Sequence, residues 1–223
     1  SVAGKIDFER LRDVVGQLFE HWAPQPEAVY DEVPADREST HLQHESAQMH
    51  IGVAYPSVPY SDPNYYQARA AIGVLSDGMS SRLFTEVREN RGLCYSVYAT
   101  CQTLLDRGCV LCYAGTTTNR AQETLDVLLA ELQRLPEGIR QDELDRLKAR
   151  LKSALIMQQE SSASRCGSMA ADWYLLGRVQ RLDELKQIVD QLTCESVNAY
   201  VKENPPSDFT IVTLGQNKLE LPV

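Results

Sequence analysis

GMSSRLFTEVRENRGLCYSVYA, residues 78–99, decides the fold because it holds a helix, a stop and a strand in immediate succession. Leu83, Phe84 and Val87 recur at helical spacing and form an apolar stripe. Arg88 lies one turn beyond Phe84, at the edge of that stripe, where a long side chain points out of the domain. Gly92 ends the helix in the manner of a C-cap. Tyr95 is then the second residue of the strand that follows.

Working outward, residues 93–116 read as two strands around a turn at Asp106-Arg107-Gly108, an antiparallel hairpin. Upstream, 46–55 (SAQMHIGVAY) alternates: Ala47, Met49, Ile51, Val53 and Tyr55 face one side, and Ser46, Gln48, His50 and Gly52 the other. Ser61-Asp62-Pro63 opens a helix with Pro in its first turn, running to Asp77-Gly78. Downstream, Asn119 and Gln122 have the spacing of a capping box before a helix over 120–134. Three or four helices cover 140–203, and DFTIVTLG supplies a last strand. This order is not the alternation of a doubly wound sheet. It predicts an α+β domain with helices packed on one face of a mainly antiparallel sheet.

Residues 7–21 read as an amphipathic helix with Leu11, Val14, Val15 and Leu18 on one side. SVAGKIDFERL at the start echoes IVTLGQNKLEL near the end: an apolar strand, a glycine, then a polar step. Residues 1–22 are therefore expected to be the strand end and helix of a preceding domain, cut inside a longer chain. Residues 23–38, with scattered charges and no period, read as a linker, and 39–223 as the main domain.

The 223 residues are 43% hydrophobic and 24% charged, an ordinary globular balance. No apolar run is long enough to span a bilayer, so no membrane helix is expected. The net charge of −9 and the interspersed Lys and Arg argue against nucleic acid. The six cysteines sit in apolar or helical segments, as suits buried thiols in a reducing compartment. Cys109 and Cys112 form a CxxC, but three positions apart on a strand they face opposite ways. A cytoplasmic location is expected, or a periplasmic one if an upstream signal has been removed.

The run 78–99 resembles the second-domain signature of the zinc peptidases that include pitrilysin, insulin-degrading enzyme and mitochondrial processing peptidase. QMHIGVAYP before it, DELDRLKARLKSALIM after it and FTIVTLG at the close extend the resemblance over roughly residues 39–215. The resemblance implies the fold shared by mitochondrial processing peptidase and its relatives. It also implies two homologous halves facing each other across a chamber. One half carries HxxEH and a downstream Glu for zinc; the other, without zinc, presents an Arg and a Tyr to the bound peptide. Those positions match Arg88 and Tyr95, whose donors can serve one peptide carbonyl or the oxyanion of the hydrated intermediate. Against this, an Arg between Glu86 and Glu89 also reads as a solvated surface residue, Tyr95 as sheet filling, and Arg91 as a competitor for the role.

Zinc hydrolysis needs imidazoles and a carboxylate on one helical face. The histidines are His21, His41, His44 and His50, and HLQHE (41–45) is HxxHE in an extended stretch. His44 and His50 share strand parity and read as surface residues on the polar side of a sheet. Nothing orients Glu45 or Glu160 as a base, and SSASRCGS (161–168) reads as an interhelical turn or helix start. The expected role is the substrate-binding, zinc-free half of a zinc metalloendopeptidase, inactive alone. Its partners would be an HxxEH-bearing domain or subunit, which holds the zinc, and a peptide. The alternative is a structural subunit without catalysis.

Overall fold

The computed structural model describes residues 1–26 and 39–221, so most of the expected linker, from residue 27 to 38, lies outside the described residues. Five strands form one sheet: β1 Thr40–Gln43, β2 Gln48–Ser57, β3 Cys94–Thr103, β4 Gly108–Thr117 and β5 Thr210–Gly215. They lie in the order β1-β5-β2-β4-β3, and the β1–β5 pair alone is parallel. The mainly antiparallel sheet expected from the sequence is thus present.

The alternation of β2 fixes its register. Met49, Ile51, Val53 and Tyr55 are buried and sit opposite Thr116, Ala114, Cys112 and Val110 of β4, which are buried on the same face. Ala47 precedes the strand and is exposed. Cys112 is buried and Cys109 half-buried, on opposite faces of β4.

α1 spans Phe8–Phe19, α2 Tyr65–Ser76, α3 Ala121–Gln133, α4 Gln141–Glu160, α5 Ser162–Leu176, α6 Leu182–Gln191 and α7 Cys194–Glu203. Helices α2 and α3 pack directly against the buried face of the sheet. α2 is alanine-rich and buried on almost every side, which requires small residues at its crossings. At Gly73 a Cβ would sit 2.6 Å from Leu147 Cδ1 of α4, so a larger residue there would have to displace that leucine side chain. α2 starts later than Pro63 suggests: Asp62 accepts from the Asn64 and Tyr65 amides (2.7 and 3.0 Å), making a turn before the helix.

The expected capping box at α3 does not form. Asn119 Oδ1 accepts from the Thr117 hydroxyl at 2.6 Å. Gln122 is drawn off by the chain near the C-terminus, donating to the Glu220 carbonyl and accepting from its amide (2.9 and 2.8 Å). A short 3₁₀ turn, Thr118–Arg120, takes the place of the cap. At α5 the helix-start reading of 161–168 holds, with Ser161 Oγ accepting from the Ser164 amide at 3.2 Å.

α1 is capped by Asp7, whose Oδ1 accepts from the Arg10 amide at 3.1 Å. Its apolar stripe exists as read, but no residue of the helix is buried. Residues 1–6 carry no strand in this structure, and the Ser1 hydroxyl donates to the Cys166 carbonyl of α5 at 2.6 Å.

Candidate functional site

The segment read as an α-helix over 80–91 is helical but wider. Arg82 and Leu83 begin it, and Phe84–Asn90 form a π turn. Both ends are fastened by distant partners. At the start, Arg82 reaches Glu143 of α4 through Nε–Oε1 and Nη2–Oε2 contacts of 2.8 Å each, and donates to the Gly138 carbonyl at 2.8 Å. At the end, Gly92 adopts φ +60°, a left-handed conformation that favours glycine. With both ends fixed from outside, the intervening residues close as a wider turn, the form that π insertions take at functional sites.

The stop at Gly92 is pinned three ways. The Leu93 amide donates to the Val87 carbonyl at 2.9 Å, the Thr116 hydroxyl to the Leu93 carbonyl at 2.6 Å, and the Arg120 guanidinium to the Gly92 carbonyl. β3 then begins with a bulge. Cys94 pairs with Thr116 and Ser96 with Gly115, leaving Tyr95 as the extra residue. A bulge bends the strand and re-aims the side chain it carries. Tyr95 is 88% exposed, so it does not fill the sheet.

Arg88 lies beside it. Its guanidinium carbon is 4.7 Å from the centre of the Phe84 ring and 5.7 Å from that of Tyr95, so the cation rests between two aromatic faces. Glu89 is the nearest carboxylate, 3.8 Å from Nε. Leu83 and Val87 form the buried stripe as read, while Phe84 is half-buried. Arg91, the competing arginine, turns towards Glu123 of α3 at 3.9 Å. The structure thus brings Arg88 and Tyr95 together at the helix–strand junction and directs Arg91 elsewhere.

The sheet face away from the helices runs up to this junction. His50 Nδ1 lies 2.7 Å from the Tyr113 hydroxyl, and the Tyr98 ring is 5.2 Å from that of Tyr113. Burial, then the neighbouring Tyr98, pushes the Tyr113 phenol up from its ordinary pKa. Between the bulge and this face lies a cavity of about 320 Å³ bordered by Gln48, Leu93, Tyr95, Ser96, Tyr113 and Arg120. Sequence reasoning placed His50 on the correct face but missed Tyr98, Tyr113 and Arg120. The parity of Tyr113, opposite to Cys112 and Ala114, was the available signal for the tyrosine. Arg120 carries none, because it is bonded to a carbonyl 28 positions away.

The described residues do not fit zinc. His41 Nδ1 is engaged with the Thr213 hydroxyl at 2.9 Å and His50 Nδ1 with Tyr113. No group of three or more His, Cys, Asp or Glu side chains among the described residues is placed to hold a metal ion. Two thiols are subdued rather than reactive: burial pushes Cys101 up to about 11 and Cys112 up to about 12.

Comparison with known proteins places the chain in a family. A family model described as the peptidase M16 inactive domain matches residues 1–151. The chain is 30% identical over 222 residues to a protein of Bacillus subtilis named uncharacterized zinc protease YmxG, covering 96% of this chain and 53% of the relative. A crystal structure of a peptidase M16 inactive domain from Pseudomonas fluorescens superposes with a TM-score of 0.80 at 25% identity, covering 97% of this chain and 53% of that one. A protease from Helicobacter pylori shares the fold with a TM-score of 0.79 at 22% identity, over 95% of this chain and 54% of that one. The chain therefore spans about half the length of the curated relatives it matches most fully.

Proposed function

The chain belongs to the peptidase M16 inactive-domain family, and from that premise we propose that it is the substrate-binding half of a two-part zinc metalloendopeptidase. Arg88 and Tyr95 hold the peptide, while an HxxEH-bearing half supplies the zinc and the base. The observation that carries this reading is the pairing itself. A guanidinium steadied between two rings and a phenol lifted out of the sheet by a bulge stand side by side at one exposed junction. Both carry N–H or O–H donors, and both can serve a single carbonyl or the oxyanion that replaces it.

Two further points support the reading. The relatives are about twice as long as this chain, which leaves room for a second half. The exposed apolar stripe of α1, with Phe8 and Leu18 each 65% exposed, suits a helix that closes a preceding domain. On this reading residues 1–22 end that domain and residues 39–223 form the non-zinc domain.

The test is cleavage of an unstructured peptide by this chain joined to its HxxEH half. Removing one preorganised donor typically raises a barrier by roughly 2.7–4 kcal/mol, so Arg88→Ala should lower kcat/KM by about 10²–10³. Turnover unchanged in Arg88→Ala would remove the proposed role. A joined pair that cuts no peptide would favour the alternative, a structural subunit.

A further inference from the structure

We propose that the cavity beside Tyr95 is a side-chain subsite for a carboxylate, and that Arg120 reads it. The inference rests on the proposed function and adds which class of peptide residue is selected. Three observations carry it. The cavity, about 320 Å³, opens at the same junction as Arg88 and Tyr95, so a chain held by that pair passes its mouth. Arg120 borders it with one guanidinium nitrogen donating to the Gly92 carbonyl. Among the described residues no carboxylate stands within ion-pair distance of Arg120, whereas Arg82, Arg88, Arg91, Arg134 and Arg178 each have one.

An unpaired guanidinium fixed by one bond keeps the rest of its donors in a planar fork that matches a carboxylate. The bond to Gly92 orients the fork before a ligand arrives, which reduces the entropy lost on binding. The rest of the border is uncharged, with Gln48, Ser96 and the Tyr95 and Tyr113 phenols beside Leu93 and Cys94. No acidic side chain borders the cavity. In a chain of net charge −9, that makes this cavity a local exception that an acidic residue would seek.

The experiment uses the full protein with its HxxEH half and paired fluorogenic peptides differing only by Glu or Gln at one position, scanned across the scissile bond. A hydrogen-bonded charge predicts that at one position Glu exceeds Gln in kcat/KM by roughly tenfold or more. Arg120→Gln should bring that ratio to about one, and Arg120→Lys should retain part of it. The ratio is the telling quantity, because loss of the Gly92 contact alone would slow both peptides together. A ratio near one at every position, or a ratio untouched by Arg120→Gln, overturns the subsite. If cleavage in the same assay still falls in Arg88→Ala, the proposed function survives that result. If no peptide is cut, or Arg88→Ala has no effect, both fall.

Discussion

Arg82 and Glu143 form a two-pronged ion pair across the domain, with both contacts at 2.8 Å and side chains only 10% and 6% exposed. The pair ties the first residue of the segment that carries Arg88 to the first turn of α4. Removing one partner strands a buried charge. Arg82→Ala or Glu143→Ala should each lower stability by roughly 3–5 kcal/mol, while a Met/Leu replacement of both should cost less than either single change. Urea unfolding of the variants measures this, and a double variant no more stable than the singles would contradict it.

The same carboxyl sets an acid limit. Burial alone would raise its pKa, but the Arg82 bonds and the Arg140 amide outweigh burial and hold Glu143 below the ordinary carboxylate range. A depressed folded pKa contributes stability above the unfolded value near 4.5, lost as pH falls through the folded one. Glu131 of α3 has the opposite sign: burial raises it, despite Arg134 at 2.7 Å, and its Oε2 has no hydrogen-bond partner among the described residues. Its contribution is present at low pH and lost as pH rises through the raised folded pKa. Glu131→Gln should therefore flatten the decline in stability above pH 4.5 and leave the acid limb in place. Thermal melts between pH 3 and 8 distinguish the two groups, and a wild-type decline above pH 4.5 retained in Glu131→Gln would refute the assignment.

Gly92 tests the aim of Tyr95. With φ at +60° and only the Arg120 side chain, 3.8 Å away, near a hypothetical Cβ, the cost of Gly92→Ala is backbone strain rather than a clash. It should destabilise by roughly 1–2 kcal/mol, with Gly92→Asn milder. Because Tyr95 follows the turn, Gly92→Ala should also lower peptide cleavage by the joined halves although Arg88 and Tyr95 are themselves unchanged. Equal stability of Gly92→Ala and the native protein would show that the turn does not need glycine.

Much of this was legible because local period and parity carry it. The alternation of Met49 to Tyr55 gave β2 its face, and the switch from helical spacing to strand after Gly92 located the junction. What was not legible depends on partners far along the chain. The π turn over Phe84–Asn90 leaves the apolar stripe Leu83 and Val87 intact, so its sequence reads as an ordinary helix. The bond from Arg120 to Gly92 and the ion pair between Arg82 and Glu143 span 28 and 61 positions. Asn119 and Gln122 had the letters of a capping box, but stronger partners at Thr117 and Glu220 took both side chains. The stripe of α1 reads the same whether or not anything covers it.

The most direct measurement is a double-mutant cycle at the junction: Arg88→Ala, Tyr95→Phe and the pair together, each joined to the HxxEH half and assayed for kcat/KM. If guanidinium and phenol serve one oxygen, each single variant loses about 10²–10³ and the double loses far less than the product of the two. Strictly multiplicative losses would mean that the groups act on separate atoms, and no loss in either single variant would contradict the account at its root.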